Sequence, residues 1–485
     1  MTPRRSLALA LVTLLLAACA AGPDYRKPAL DLPIAWKVEA PWRPGTPDDR
    51  ADKGPWWKRF DDATLDGLQQ QALVASPTLE IAAARLAQAR AVVSATSAAL
   101  LPQLTLSTRA SRQRISANRP QTNYAAPNFS TVQNDIIASL AVSYEVDLAG
   151  RVQRSIEGVQ ASAEQSAADF ENTRLVLTAD LATSYFNLRA TDIELDVLLR
   201  SIALQRRALE LISARHDLGA VSGLEVAQQQ ALLDTTLVQV DVLRRQRSVF
   251  EHAIATLTGT AAPVFALAPD LRETAPHAVP LGVPSDVLER RPDVASAERA
   301  MAVANAQIGI ATAAFYPSIT LGPSLGGESR SLATLFDAPS LLWSIGVSLT
   351  QPLFDAGRLK ANVDFAQAGY DVTVGTYRRV VLTAMQEVED GISGVASLER
   401  AFDQARVAVT SARRVLDMAT ARYEGGASGY LDVITAQQSL LASERLAAQL
   451  RGQRLLASVF LVKALGGDWE HGPTIVARDT PAPPR

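Results

Sequence analysis

Apolar residues recur at the spacing of an α-helix over two long stretches of this chain. In the first stretch they fall three, four or seven positions apart, at Leu195, Leu198, Ile202, Leu209 and Ile212. A similar spacing in the second stretch is found at Leu398, Phe402, Val409 and Leu416. Both stretches lack proline and are rich in good helix formers such as Ala, Leu, Gln, Arg and Glu. We therefore predict long helices whose apolar side chains form a core seam.

Glycine-containing segments interrupt both helical stretches. A first helix over residues 152–216 would be about 100 Å long, at ~1.5 Å per residue. It ends before Gly219 and helix resumes after Gly223, and the second stretch has the same break around Gly426. The pattern predicts one long antiparallel helical hairpin with a tight tip in each stretch, preceded by a shorter helix.

Between the short and the long helix of each stretch, the period changes to strict alternation. Residues 138–146 and 343–350 alternate between apolar and small or polar side chains, and shorter partners precede them at 104–108 and 319–321. We therefore predict four β-strands per chain. Strands of this length can cross an outer membrane when they are tilted. A lone hairpin of this kind is most often soluble, but two matched hairpins on an exported chain favour a membrane sheet.

From Gly150 onward, the first repeat matches the second at a constant offset of 207 residues. Equivalent pairs are Gly150 and Gly357, Arg215 and Arg422, Gly219 and Gly426, Glu225 and Asp432, and Gly259 and Gly466. Such an offset indicates an internal duplication. The predicted organisation is a signal peptide (1–18), a lipidated N-terminal arm (19–60), a first repeat (61–262), a Pro-rich connector (263–285), a second repeat (286–470) and a C-terminal tail (471–485).

The N-terminal residues carry an export signal. Arg4 and Arg5 precede an apolar run that is too short to span a bilayer and that ends in Leu16-Ala17-Ala18-Cys19. This ending is similar to a bacterial lipobox, in which the cysteine becomes the lipidated first residue of the mature chain. The alternative is an ordinary signal peptide with an incidental cysteine. Because Cys19 is the only cysteine and stands where the motif requires it, we expect a lipid anchor at Cys19 and an outer-membrane location.

Composition excludes several classes of function. The 485 residues include 47 Lys and Arg against 50 Asp and Glu, and the resulting net charge of −3 gives no basic surface for nucleic acid. One cysteine and four scattered histidines leave no residue set typical of a metal site, and no nucleophile–base arrangement is found. We expect no cofactor, no metal and no enzymatic activity.

Four strands per chain are too few to close a membrane barrel. The smallest membrane barrels use about eight strands, and an open sheet edge is not tolerated in lipid. The chain must therefore oligomerise if its sheet enters a membrane. Three copies would supply twelve strands and a ring of twelve long helices. The predicted fold class is thus mainly α, with a membrane β-barrel built between chains.

Several segments resemble those of the TolC-type outer-membrane efflux channels, specifically the lipoprotein branch that contains OprM and the NodT-like proteins. The most specific are Arg290-Arg291-Pro292-Asp293 and residues 464–469, and residues 19–25, 56–65, 283–289 and 314–319 also match. The resemblance covers nearly the whole chain. It implies a homotrimer with a 12-stranded β-barrel on a periplasmic α-helical barrel. It also implies a passive conduit that works with a periplasmic adaptor (a membrane fusion protein) and an inner-membrane pump to export small molecules such as drugs.

In this family, polar residues close the periplasmic tip of the helical tube. By position, Tyr423 and Asp432 match the closing tyrosine and acidic residue, and Glu225 is the first-repeat equivalent of Asp432. This sequence departs from some members at Ser428, where they have a gate arginine, and at Thr435, where they have a second aspartate. We expect Tyr423, Asp432 and Glu225 to act in channel gating. The alternative is that each acid only stabilises the first turn of its helix through the helix macrodipole.

Other functions remain open at this stage. A duct for protein secretion would need the same architecture. A non-channel coiled-coil lipoprotein of the envelope would explain the helices but not the alternating strands. An enzyme is disfavoured because no convergent set of His, Cys or carboxylate residues is present.

Overall fold

The computed structural model describes residues 21–27, 55–118, 130–272, 274 and 290–467. They form two compact units. The strand unit comprises residues 21–27, 86–118, 130–166 and 297–377, and the helical unit comprises residues 55–85, 167–272, 274, 290–296 and 378–467. Cys19 and the family-like segments 283–289 and 468–469 lie outside the described residues.

Helices account for most of the described chain. They are α1 (Ala63–Ala75), α2 (Pro77–Ser97), α3 (Arg151–Asp217), α4 (Gly223–Leu257), α5 (Pro292–Ala313), α6 (Arg358–Glu424) and α7 (Tyr430–Ala464). The helices α3 and α6 have 67 residues each, and α4 and α7 have 35 residues each. We call α3 with α4 the first hairpin and α6 with α7 the second hairpin. They confirm the two predicted helical hairpins, and α3 extends one residue beyond each predicted end.

The turns between the paired helices have the same geometry in both hairpins. Gly219 and Gly426 have φ angles of 76° and 71°, a left-handed conformation that glycine adopts without strain. The amide of Ala220 donates to the carbonyl of Arg215 at 2.9 Å, and the equivalent bond from Ala427 in the second hairpin measures 2.8 Å. These bonds satisfy carbonyls that the end of a helix leaves free, so each long helix stops at its glycine and the chain reverses.

The strands form one antiparallel sheet in the strand unit. They are β1 (Gln103–Ile115), β2 (Thr131–Val146), β3 (Ser318–Leu321), β4 (Ser324–Ser329), β5 (Leu341–Ser344) and β6 (Val347–Thr350). Strand β1 pairs with β2, β2 pairs with both β3 and β4, β4 pairs with β5, and β3 pairs with β6. The described sheet therefore consists of four extended runs, as predicted, but the two runs of the second repeat are each broken once.

Both breaks lie side by side in the sheet. One falls at Gly322-Pro323, between β3 and β4, and the other at Ile345-Gly346, between β5 and β6. Proline has no amide proton to donate to a ladder, and glycine packs no side chain on a strand. The Gly322 amide still donates to the Gly346 carbonyl at 3.0 Å, and the Pro323 carbonyl accepts from the amide of Val142 at 2.8 Å. Hydrogen bonding thus bridges the interruption.

The register sorts the strand side chains onto two faces. Leu104 pairs with Val142 and Leu106 with Leu140, so these four side chains share what we call the apolar face. Further residues in register on the apolar face are Ile136, Ala138, Ile319, Leu321, Leu325, Leu341, Trp343, Val347 and Leu349. The opposite face, which we call the polar face, carries mainly Ser, Thr and charged residues. This alternation agrees with the predicted membrane sheet.

The core of the helical unit surrounds the middle of α3. A short 3₁₀ turn, Trp56–Phe60, buries Trp56 and Phe60 against Tyr185 and Phe186. The rings of Phe60 and Phe186 lie 4.7 Å apart, and the Tyr185 hydroxyl donates to the carboxylate of Asp62 at 2.6 Å. This packing places the family-like Trp56-Trp57 segment in the core.

The predicted core seam is confirmed in the first hairpin and weaker in the second. Leu198, Ile202 and Ile212 are buried, and Leu195 and Leu209 pack against them while partly buried. In the second hairpin the predicted residues are only half-buried: Leu398, Phe402, Val409 and Leu416. The fully buried positions of that region are the smaller residues Ala405 and Ala412. Over the described residues, no helix is apolar over a length sufficient to span a membrane.

Candidate functional site at the hairpin tips

The structure brings together two of the three predicted gate residues. Tyr423 lies in the last turn of α6, and Glu225 lies in the first turn of α4. The glycine turns place both residues at the tip of their hairpins. There the hydroxyl of Tyr423 donates to Oε2 of Glu225 at 3.0 Å. We call this hydrogen bond the tip contact; it joins the second hairpin to the first.

A second hydrogen bond links the same two hairpins and was not predicted. The hydroxyl of Tyr430, at the start of α7, donates to Oε1 of Gln229 at 2.8 Å. Gln229 is fully buried, and its Nε2 donates to the carbonyl of Gln205 at 3.1 Å. Gln229 lies one helical turn beyond Glu225, so both acceptors share one face of α4. No local sequence pattern signals this pair, because it depends on how the two hairpins pack.

Apolar side chains from both hairpins surround the two tyrosines. The centroids of the Tyr423 and Tyr430 rings are 5.0 Å apart in an edge-on arrangement, which is a geometry that aromatic pairs favour. The buried members of this tip cluster are Ile212, Leu232, Tyr430, Val433 and Ile434. Partly buried residues packed against them are Val221, Val226, Leu416, Ala419 and Tyr423. The cluster holds the two hydroxyls at fixed positions opposite their acceptors.

Burial and the neighbouring charges keep both hydroxyls protonated. Burial, followed by the hydrogen bond and charge of Glu225, raises the pKa of Tyr423, and the nearby Arg215 opposes this rise. The guanidinium of Arg215 lies 5.9 Å from the centre of the Tyr423 ring. Burial also raises the pKa of Tyr430 well above its ordinary value. Both tyrosines are therefore hydrogen-bond donors at neutral pH.

The third predicted residue, Asp432, is not part of this arrangement. Its side chain is exposed and forms no hydrogen bond or ion pair with the described residues, although its amide donates to the carbonyl of Gly429 at 3.2 Å. Asp432 lies in the first turn of α7, where the macrodipole stabilises a carboxylate. Thr435 donates to the Leu431 carbonyl of its own helix at 2.8 Å. The Oγ of Ser428 is buried and has no hydrogen-bond partner among the described residues.

The first hairpin lacks a counterpart of the tip contact within the described chain. His216 stands at the position equivalent to Tyr423, 207 residues earlier. Its Nδ1 lies 3.0 Å from the carbonyl oxygen of Val221 in the same hairpin. In the two inter-hairpin bonds described at the tip, the second hairpin therefore supplies both donors and the first supplies both acceptors. Among the described residues, no group of three or more His, Cys, Asp or Glu is placed to hold a metal ion.

Comparison with known proteins identifies the class to which this architecture belongs. The sequence matches the family described as outer membrane efflux protein over residues 68–260 and 283–467. It is 34% identical over 469 residues to the pyoverdine export outer membrane protein OpmQ of Pseudomonas aeruginosa, covering 96% of this chain and 97% of that protein. It is also 32% identical over 463 residues to the toluene efflux pump outer membrane protein TtgF of Pseudomonas putida, covering 94% of this chain and 95% of that protein.

A solved structure has the same fold. The CmeC outer membrane channel of Campylobacter jejuni superposes with a TM-score of 0.82 at 25% sequence identity, over 93% of this chain and 95% of that one. The architecture is therefore that of an outer-membrane efflux channel. The chain belongs to the outer membrane efflux protein family, and it is a transport conduit of the outer membrane and not an enzyme.

Proposed function

We propose that three copies of this chain form the outer-membrane duct of a tripartite efflux system, with the tip contact holding its periplasmic end closed. The observation that carries the proposal is the pair of open sheet edges. Within the described sheet, β1 has a partner on one side only, and so do β5 and β6 at the other edge. Unpaired strand edges cannot remain in lipid, and a ring of three copies would pair each β1 with a neighbouring second-repeat run.

The partners follow from the proposed role. A passive duct has no energy source of its own, so an inner-membrane pump must supply it and a periplasmic adaptor must connect the two. The domain organisation proposed is the one given by the sequence: two repeats, 61–262 and 286–470, joined by the connector 263–285. One relative is named for pyoverdine export and another for toluene efflux, and from these names we propose small molecules as the cargo.

The proposed lipid anchor at Cys19 is supported by the way the next residues are held. In the strand unit, the amide of Ala21 donates to the carbonyl of Ala149, just after β2, at 2.8 Å. The buried guanidinium of Arg154 donates to the Ala21 carbonyl at 3.2 Å and to Asp24 at 2.8 Å. Ala21, two residues after Cys19 in the sequence, is thus held at the end of the strands from which α3 starts. Intact-mass measurement of the wild type and of Cys19→Ala tests this proposal, which requires that only the wild type carry acyl chains.

Single-channel recording in planar bilayers tests the duct and its closure. The wild type is expected to give small, infrequent openings. Tyr423→Phe removes the donor of the tip contact and is expected to raise the conductance several-fold. Glu225→Gln keeps an acceptor but removes its charge, so it weakens the tip contact and is expected to raise the conductance by a smaller factor. Glu424→Gln is the matched control. Glu424 is exposed and adjacent in sequence to Tyr423, and its substitution removes the same charge without changing the tip contact.

The outcomes separate the parts of the proposal. A wild-type preparation that is monomeric and gives no channels in any variant contradicts the duct. Channels whose conductance is unchanged in Tyr423→Phe and Glu225→Gln contradict the closing role of the tip contact while leaving the duct in place. If Asp432→Asn raises the conductance as much as Glu225→Gln, the exposed acid takes part in gating as well.

A further inference from the structure

Three arginines of β1 are divided between the two faces of the sheet. Arg109 pairs in register with Ile137 and lies on the polar face, where its guanidinium contacts Asp135 at 3.0 Å. Arg112 and Arg114 are displaced from it by odd numbers of residues. Because successive side chains of a strand alternate, both lie on the apolar face, in line with Leu104 and Leu106. The apolar face thus carries two cations at one end.

No acidic side chain of the described strands compensates these two cations. The strand carboxylates Asp135, Glu145 and Glu328 all fall on the polar face by their register. The residues across from Arg112 and Arg114 are Asn134 and Val132.

Among the described residues, the two guanidinium groups have partners for few of their donors. Arg112 is exposed and makes no hydrogen bond to a described residue. Arg114 is also exposed, and toward the described residues it uses only its Nε, which donates to the Ser130 hydroxyl at 3.0 Å.

Arg112 and Arg114 lie near one end of strand β1. Strand β1 begins close after α2 and ends at Ile115, towards the connection to β2, so Arg112 and Arg114 lie at the end away from the helices. The apolar positions from Leu104 to Ala110 span about 20 Å of strand at ~3.3 Å per residue. The lipid-facing apolar band of outer-membrane barrels is about 25 Å tall. At the 35–45° tilt of barrel strands, Arg112 lies about 20 Å and Arg114 about 25 Å above Leu104, so Arg114 is expected at the outer limit of such a band and Arg112 just below it.

Energetics restrict where lipid-facing arginines can lie. An arginine on the lipid face is strongly destabilising at the bilayer midplane and close to neutral at the interface. Two of them on one strand are tolerated only at the level of the headgroups. Guanidinium groups with free donors bind phosphate in a bidentate geometry, which a hydrated ammonium does not match. The positive charge of Arg112 and Arg114, their expected height at the lipid headgroups and their donors without partners among the described residues all fit an anionic phosphoryl group.

We propose that Arg112 and Arg114 bind the phosphates of the glycolipid that forms the outer leaflet of the bacterial outer membrane. The inference rests on the proposed function, since it requires the apolar face to contact lipid with its loop end outward. It assigns to β1 a lipid-recognition site beyond the transport path. Arg109, on the opposite face of the sheet, would instead face the interior of the duct.

Binding of purified lipid A to the full-length detergent-solubilised protein tests this site, with native mass spectrometry as the readout. The Arg112→Gln/Arg114→Gln double variant is expected to bind lipid A at least about tenfold more weakly than the wild type, which corresponds to the loss of charge-assisted hydrogen bonds. Arg109→Gln is the matched control because it removes the same charge from the same strand on the opposite face. Its lipid A affinity is expected to equal that of the wild type.

The remaining arms identify the ligand chemistry. Dephosphorylated lipid A is expected to bind the wild type and the double variant equally. Equal loss of lipid A affinity in Arg109→Gln and the double variant would overturn the assignment of faces. Phosphatidylglycerol that binds as tightly as lipid A, with the same dependence on Arg112 and Arg114, would overturn the glycolipid as occupant in favour of phospholipid.

The same preparations separate this inference from the duct itself. In bilayers free of lipid A, the double variant is expected to conduct like the wild type, because the site lies outside the transport path. Wild-type protein that gives no channels contradicts the duct. Conducting channels whose lipid A affinity is unchanged in the double variant contradict only the lipid site. Circular dichroism and the mass of the intact oligomer serve as folding controls for every variant.

Discussion

The helices α4 and α7 have the same length and the same place in their hairpins, but they differ in burial. Each has 35 residues, follows a glycine turn and returns along a helix of 67 residues. Seven residues of α4 are buried, whereas fourteen residues of α7 are buried. The difference arises because α7 packs against three helices, α3, α4 and α6, whereas the contacts described for α4 are with α3 and α7. Gly452 of α7 lies against Ala190 of α3, and Leu461 of α7 lies against Gly391 of α6.

The additional buried surface of α7 is one face of the helix. The residue types on this face differ between α7 and α4. The buried residues on this face are Leu441, Ala448, Gly452, Leu455 and Val459. The residues of α4 at the equivalent positions, 207 earlier, are polar and exposed: Asp234, Asp241, Arg245, Ser248 and His252. Two copies with one backbone pattern have therefore diverged on a single helix face. The divergence distinguishes a helix enclosed within the chain from one that flanks it.

Exchanging one residue of this face between the copies should give the largest effect. Leu455→Ser places the α4 residue into α7, where it creates a cavity and buries a hydroxyl. We expect the free energy of unfolding to fall by about 3–5 kcal/mol. The reverse exchange, Ser248→Leu, changes an exposed position and should alter it by only about 0.5 kcal/mol. Denaturant titration in detergent, followed by far-ultraviolet circular dichroism, measures both. Equal losses in the two variants would show that the comparison of faces is wrong.

A smaller loss is expected where α7 approaches α3 most closely. A Cβ on Gly452 would lie 2.5 Å from the Cβ of Ala190, so Gly452→Ala must push the two helices apart. Overpacking of this kind costs about 1–3 kcal/mol of unfolding free energy.

Two controls accompany this substitution in the same titration. Arg245→Ala, at the equivalent exposed position of α4, should be close to neutral. Ala190→Gly should rescue Gly452→Ala in the double variant, because it removes the opposing methyl group. A double variant no more stable than Gly452→Ala would rule out the close approach as the cause.

Local patterns predicted the elements of this fold because hydrophobic period and glycine or proline positions act over short distances. The hairpins of α3 with α4 and α6 with α7 follow from proline-free helical periodicity and from the turns at Gly219 and Gly426. The predicted strand 319–321 ends where the structure has the first break, but the continuation of that run as β4 and the break at Ile345-Gly346 were not predicted. An alternating pattern shows which face a residue takes but not where pairing is interrupted. The partial exposure of the apolar seam of α6 was not predicted either, because burial depends on which helices become neighbours.

The candidate site was only partly accessible from sequence. Tyr423 and Glu225 were placed at the gate through resemblance to a family, and the structure brings them into hydrogen-bond contact. The bond between Tyr430 and Gln229 joins residues 201 positions apart, and no local pattern encodes how two hairpins pack. For all three residues, Tyr423, Glu225 and Asp432, a role in gating stays a prediction.

The unequal burial of the two tip hydrogen bonds predicts unequal costs. Tyr430→Phe leaves the fully buried Oε1 of Gln229 without its donor, which should cost about 1–3 kcal/mol. Tyr423→Phe affects a half-buried pair and should cost about 0.5–1.5 kcal/mol. Hydrogen exchange of the backbone amides in the first turns of α4 and α7 reports the opening free energy of the tip.

A paired substitution distinguishes the hydrogen bond from simple packing at Tyr430. In Tyr430→Phe/Gln229→Leu both partners become apolar, so no buried group remains unsatisfied and most of the protection should return. Protection that stays as low as in Tyr430→Phe alone would instead attribute the effect to disturbed packing of the tip cluster.

The smallest effect concerns pH. It arises because the donor of the tip contact, on the second hairpin, is a tyrosine hydroxyl that can lose its proton at alkaline pH. The pKa of Tyr423 is raised in the folded protein, by burial first and then by Glu225. A group whose pKa is higher when folded stabilises the fold fully below its unfolded pKa, here about 10, and loses that contribution as pH rises through the folded value. The tip contact should therefore be insensitive to pH between about 6 and 9 and weaken only above about 10. Single-channel conductance should follow the same course, flat near neutrality and rising at alkaline pH. Tyr423→Phe should lack this alkaline rise, and a rise that persists in this variant would assign it to another group.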